Sequence, residues 1–158
     1  MVPAPAPPGE KAGSSMRPPD SEILRRVIEW LEYGDEDLRL ARHGLTLTSG
    51  VPYRLIAYHA QQCAEKYLKA FLVYHRIDFP YTHNIGRLLE LCAEKGEWAK
   101  DLPEADELTP FAITARYPSQ DEAVTREECL RAIEIASRIR EIIRKELERE
   151  GVNLPLGF

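Results

Sequence analysis

Between residues 52 and 75 the chain reads PYRLIAYHAQQCAEKYLKAFLVYH, and its apolar residues recur at helical spacing on more than one face. Leu55, Ile56, Cys63, Tyr67, Leu68, Ala70, Phe71, Leu72 and Tyr74 leave little room for a solvated side. A helix that is apolar most of the way round has to be enclosed by other elements. The stretch therefore predicts a central helix against which the remaining helices pack. Pro52 suits a first helical turn, where a missing N–H is tolerated, and Ser49 and Gly50 before it suit a loop and cap. The polar residues within it are few: Arg54, His59, Gln61, Gln62, Glu65, Lys66, Lys69 and His75. Glu65 and Lys69 are four apart and can pair along one face, while Gln62 and Lys66 share the adjacent one.

The flanking segments supply the partners. Helix one is expected from Asp20 or Ser21, either of which can cap, with Leu24, Val27, Ile28, Leu31, Leu38 and Ala41 as its stripe. Gly34 interrupts that stripe, either as a point of close helix approach or as a tolerated defect of about 1 kcal/mol. After His75 the chain turns, and Thr82 is read as the cap of a short third helix carrying Ile85, Leu88, Leu89 and Cys92, ended by Gly96. Residues 97–102 read as a loop with Trp98 folded back onto the domain. A fourth helix begins afresh or kinks at Thr109 and Pro110 and stops at Pro118. Thr125-x-x-Glu128 is a capping box opening a long last helix, with Cys129, Ala132, Ile133, Ala136, Ile139, Ile143 and Leu147 inside. Its basic end, residues 138–145, reads as a solvated face. No stretch alternates with period two over strand length. The expected fold is all-α: a five-helix bundle with two long antiparallel helices and a long C-terminal helix.

Composition narrows the function classes. The 158 residues are a prior for one domain, expected over residues 21–149, with short tails at 1–20 and 150–158. Residues 1–20 hold six of the twelve prolines and almost no large apolar side chain, so a disordered tail is expected, with Met16 as an alternative natural start. A formal net charge of −5 argues against a broad, nonspecific nucleic-acid binder, although a local basic groove remains compatible with it. The longest apolar run, residues 70–74, is far short of a membrane span, and no secretory apolar region opens the chain. Cys63, Cys92 and Cys129 are widely spaced in apolar helical contexts and read as reduced core cysteines of a cytoplasmic protein. Neither they nor the four histidines show zinc-ligand spacing, so neither a metal site nor a cofactor is expected.

Four strings, in order, resemble the HEPN domain family of small helical prokaryotic proteins. QQCAEKYLKAFL is similar to its signature helix, GDEDLRLA (34–41) to its first-helix motif, THNIGRLL (82–89) to its third, and ARYP (115–118) to the end of its fourth. The resemblance implies a homodimeric subunit that associates with a small nucleotidyltransferase partner, as in toxin–antitoxin pairs, and binds nucleotide or RNA. It also implies an alternative, a metal-independent endoribonuclease toxin restrained by that partner. A purely structural dimerisation domain is the third reading.

Members of the group that cut RNA carry Arg, four to six residues, and then His. Imidazole can move a proton to or from a ribose oxygen, and guanidinium can grip the phosphate. No histidine follows His83, so that motif is absent from its expected late position near Arg116. Two other pairs meet the spacing: Arg54 with His59, and Arg76 with His83. For both histidines a hydrogen-bonded structural role competes with the catalytic one. On the enzyme reading the catalytic pair is Arg54 and His59. On the binding reading the phosphate contacts are Arg116, Lys66 and Lys69. The competing structural reading pairs the lysines within the protein and gives Arg116 a carboxylate such as Glu65 or the last carbonyls of its helix.

Overall fold

The structure, a computed structural model, describes residues 20–114 and 123–156 together with Pro118. It is built from α1 (Ser21–Gly44), α2 (Tyr53–Tyr74), α3 (Ile85–Cys92), α4 (Phe111–Thr114) and α5 (Arg126–Arg149). Two short 3-10 helices, Glu97–Asp101 and Pro103–Leu108, lie between α3 and α4, and no strand occurs among the described residues. The all-α bundle expected from the periodicity is the observed architecture.

The central role of α2 is visible in its burial. Sixteen of its side chains are inside, including Tyr67, Leu68, Phe71 and Leu72, which are almost fully removed from water. Each such large apolar group contributes roughly 1.5–3 kcal/mol. α1 runs antiparallel along one flank: Gly44 lies over Ile56, and Gly34 lies over Tyr67. α5 packs along another flank, running with α2, so that Cys129 near its start meets Ile56 and Glu150 at its end reaches His75. α3 and the 3-10 helices close the remaining side with Ile85, Leu88, Leu102 and Leu108.

Gly34 turns out to be a point of close approach. A Cβ there would lie 2.8 Å from the Tyr67 ring. α1 continues unbroken through the glycine and is capped at its start by Asp20, whose carboxylate accepts from the Ile23 N–H at 2.8 Å.

Several boundaries differ from the sequence expectation. Pro52 is the residue before α2, and its carbonyl accepts the first helical N–H, from Ile56. Asn84, not Thr82, caps α3: its side chain accepts from Arg87 N at 2.9 Å, while Thr82 Oγ accepts from Asn84 N at 3.1 Å and shapes the turn before it. The segment read as a loop at 97–102 contains the first 3-10 helix, and Trp98 does fold back, meeting Phe71 edge-on at 5.1 Å. On α5 the capping box is present in both directions, Glu128 N to Thr125 Oγ at 3.1 Å and Thr125 N to Glu128 Oε2 at 2.8 Å. Ile135 joins the buried stripe, and Ile133 is only partly covered.

Burial pushes the thiols of Cys63, Cys92 and Cys129 up from their ordinary value, and the nearby carboxylates of Asp35 and Asp37 add to the effect at Cys63. No helix among the described residues is long and apolar enough to cross a membrane.

Candidate functional site

The polar residues of α2 gather into two constellations at its flanks. The first centres on Glu65, which is 4 % exposed. Lys69 Nζ donates to its Oε1 at 2.7 Å, and Gln61 and Gln62 donate to Oε2 at 3.0 and 3.2 Å. His83, on the loop before α3, brings Nδ1 to within 3.0 and 3.1 Å of the two oxygens. Gln61 also donates to the His83 carbonyl at 3.1 Å, and so fixes the loop to the helix. Burial alone would raise the Glu65 carboxyl, but the bonds from Lys69, Gln61 and His83 together outweigh it and hold the group below its ordinary value.

An ionised Glu65 obliges His83 Nδ1 to be the protonated nitrogen, which makes Nε2 the proton-accepting one in the neutral ring. Aromatic rings lie beside Lys69 and His83. The Lys69 ammonium lies 5.6 Å from the Trp30 ring centroid and 5.8 Å from that of Phe79. Tyr81, 88 % exposed, meets His83 edge-on at 5.3 Å.

The second constellation is built on Asp37 of α1. Its Oδ1 is 2.8 Å from His59 Nδ1, and its Oδ2 accepts from the Lys66 ammonium. His59 and His83 therefore share one device: a carboxylate holds Nδ1 and thereby orients the ring. His59 also borders an apolar groove of about 260 Å³ between the end of α1 and the start of α2, lined by Leu40, Leu47, Leu55 and Ile56 among others.

A third acidic residue, Asp35, is also buried, on the α5 side of α1. It accepts from the Tyr67 hydroxyl at 2.5 Å and from Arg140 Nε at 2.6 Å, with Arg144 Nη1 at 3.8 Å. The basic end of α5 is thus not wholly the solvated face expected of it. Two of its arginines turn inward because a buried carboxylate needs cations more than their guanidiniums need water.

The candidate residues named from sequence fall as follows. Lys69 is buried and bound to Glu65, and Lys66 is bound to Asp37. His59 is oriented by Asp37, whereas Arg54 lies five residues earlier on α2, about 140° round the helix and exposed. The structure does not bring those two onto one face. Arg76 closes the end of α2 with a positive φ of 56°, and His83 belongs to the Glu65 constellation. Arg116 lies outside the described residues. Asp35 and Asp37 are the residues that sequence reasoning passed over. Their signal was the acidic pair within the GDED run, set in an otherwise apolar stripe. Among the described residues no group of three or more His, Cys, Asp or Glu side chains is arranged to hold a metal ion.

No curated protein matches the chain. Two solved structures resemble it. TT1696 from Thermus thermophilus is 31% identical, covers 77% of this chain and 98% of its own, and superposes with a TM-score of 0.62. ST0689, described as an archaeal HEPN homologue, is 28% identical over 77% of this chain and 98% of its own, with a TM-score of 0.61. The HEPN domain family model matches residues 27–147, from the first turns of α1 to the last buried leucine of α5. That span takes in all three acidic centres and both oriented histidines, and the chain belongs to the HEPN domain family.

Proposed function

We propose that this HEPN protein is a nucleotide- or RNA-binding subunit that acts as a homodimer beside a small nucleotidyltransferase partner, in a pair of the toxin–antitoxin kind. The observation that supports this reading is the seat around His83. Gln61, Gln62, Glu65 and Lys69 occupy positions on a core helix where apolar side chains of similar volume would be as stabilising or more so. What the network achieves is a fixed, partly exposed imidazole with Tyr81 edge-on to it, next to a Lys69 ammonium that lies by Trp30 and Phe79. Aromatic faces with an oriented donor or acceptor are what unstacked bases bind.

The experiment is fluorescence anisotropy with short single-stranded RNA and with labelled ATP, on the wild type and on Tyr81→Ala and His83→Ala. Loss of a base-stacking ring costs about 1–3 kcal/mol, so Tyr81→Ala is expected to weaken binding roughly 5- to 150-fold. Absence of binding by the wild type to either ligand overturns the reading. Recovery of a small nucleotidyltransferase with the tagged protein from its native host tests the partner, and its absence overturns that part of the reading.

One observation favours the second reading, a metal-independent endoribonuclease. His59 is held by Asp37 as a general base or acid would be, and it is half-buried at the mouth of a groove. Cleavage of RNA in EDTA that is lost in both His59→Ala and Arg54→Ala would establish that reading. Cleavage unaffected by either change removes it.

A further inference from the structure

Asp35 is a single carboxylate facing several guanidiniums. Outside it, along the seam of α1 and α5, Arg39, Arg42 and Arg140 line a cleft of about 140 Å³ together with Asp35 and Leu38. That is room for one or two phosphoryl groups in a cleft open to solvent on one side.

The lining carries three cations and one anion, a formal excess of two positive charges, in a chain whose net charge is −5. Both oxygens of Asp35 are already engaged. Oδ1 accepts from Tyr67 and Arg140, and Oδ2 faces Arg144. Arg42 is oriented by a neutral group, its Nη2 donating to Ser137 Oγ at 3.0 Å, while Ser137 donates onward to the Ile133 carbonyl at 2.7 Å. A hydroxyl positions a guanidinium without neutralising it. Three guanidiniums line this small concave space, and each has further N–H donors beyond those already engaged, which suit the oxygens of phosphate by charge-assisted hydrogen bonds.

We infer that the α1–α5 cleft is a binding site for a small anion bearing one or two phosphoryl groups, held by Arg39, Arg42 and Arg140. Trp30 and Arg39 are nine residues apart on α1, half a turn round the helix. The cleft therefore opens away from the His83 seat and does not depend on the nucleotide or RNA reading.

Isothermal titration at constant ionic strength tests the site, with inorganic pyrophosphate and ADP as probes. The proteins are the wild type, the double variant Arg39→Gln/Arg42→Gln and His83→Ala, each checked for helicity by circular dichroism. With pyrophosphate, which has no base to stack at the His83 seat, the wild type and His83→Ala are expected to bind alike, and the double variant at least roughly tenfold more weakly. Equal affinity for the two probes assigns recognition to the phosphoryl groups alone. Tighter ADP binding that persists in His83→Ala and falls in the double variant assigns it to a nucleotide whose sugar and base lie outside the cleft. If the double variant is misfolded, Arg42→Lys replaces it, and the same direction is expected because lysine keeps the charge but not the fork. Heat from neither probe at millimolar concentration, or undiminished binding in the variants, overturns the site. RNA binding that is lost in the double variant while both small probes fail also overturns it, and transfers the cleft to a nucleic-acid backbone. Failure of the wild type to bind RNA leaves the pyrophosphate result standing.

Discussion

Removing the Glu65 side chain strands Lys69, an ammonium that is 5 % exposed and has Glu65 as its carboxylate partner. Glu65→Leu is expected to cost about 3–5 kcal/mol in urea denaturation, because one buried charge is left uncompensated. Adding Lys69→Met should recover most of that loss, since a fully apolar replacement of a buried pair is often neutral. A double variant as unstable as the single would show that the network is needed for the fold itself. Two side chains also set separate acid limits. Burial pushes the His75 imidazole below its ordinary value of 6.5, although Glu150, 3.4 Å away, opposes the shift. The native state then binds fewer protons than the unfolded one, so stability is present above pH 6.5 and declines as pH falls below it. His75→Leu should flatten that limb. Glu65, held below its ordinary 4.5, contributes a second decline that begins only below that pH and survives in His75→Leu. Thermal melts across the acid range read both.

The α1–α2 pair depends on one contact without a side chain. Gly34→Ala would place a methyl 2.8 Å from the Tyr67 ring, and that ring is fixed by its hydroxyl on Asp35. The expected result is a loss of about 1–3 kcal/mol despite the better helix propensity of alanine, measured by the shift in urea midpoint. A stabilised variant would mean that the helices can part at no cost. How much of these elements the sequence reveals depends on how local their causes are. The Thr125–Glu128 box is legible because both partners lie within one turn, and the enclosure of α2 is legible because its apolar residues leave no free face. The α3 cap was misplaced because Thr82 and Asn84 are both competent, and the choice turns on which side chain reaches Arg87 N. Arg140 could not be read correctly from its own helix. Its partner Asp35 is 105 residues away, and periodicity sorts apolar from polar without saying which charge a polar side chain will meet. The candidate site was legible in its residue types: His59, Lys66, Lys69 and His83 all fall in polar constellations. Of its pairings Glu65 with Lys69 was legible, one turn apart on α2, whereas those of His59, Lys66 and His83 were not, because each meets a carboxylate on another element.

At the scale of the whole molecule, the three free thiols sit at different depths of the architecture: Cys63 in the middle of α2, Cys92 at the end of α3, and Cys129 in the first turns of α5. All are buried, and burial suppresses the thiolate that any alkylating reagent must attack. Each cysteine becomes reactive only when its own neighbourhood opens, and openings range from local fraying to global unfolding. Pulse labelling with a maleimide, read by peptide mass, is expected to modify Cys92 and Cys129 faster than Cys63, with the Cys63 rate tracking the global unfolding free energy. Equal rates at all three would show a single cooperative unit. The protein thus carries its own clock with three hands, and a ligand added to that assay would reveal which helix it locks by the hand it stops.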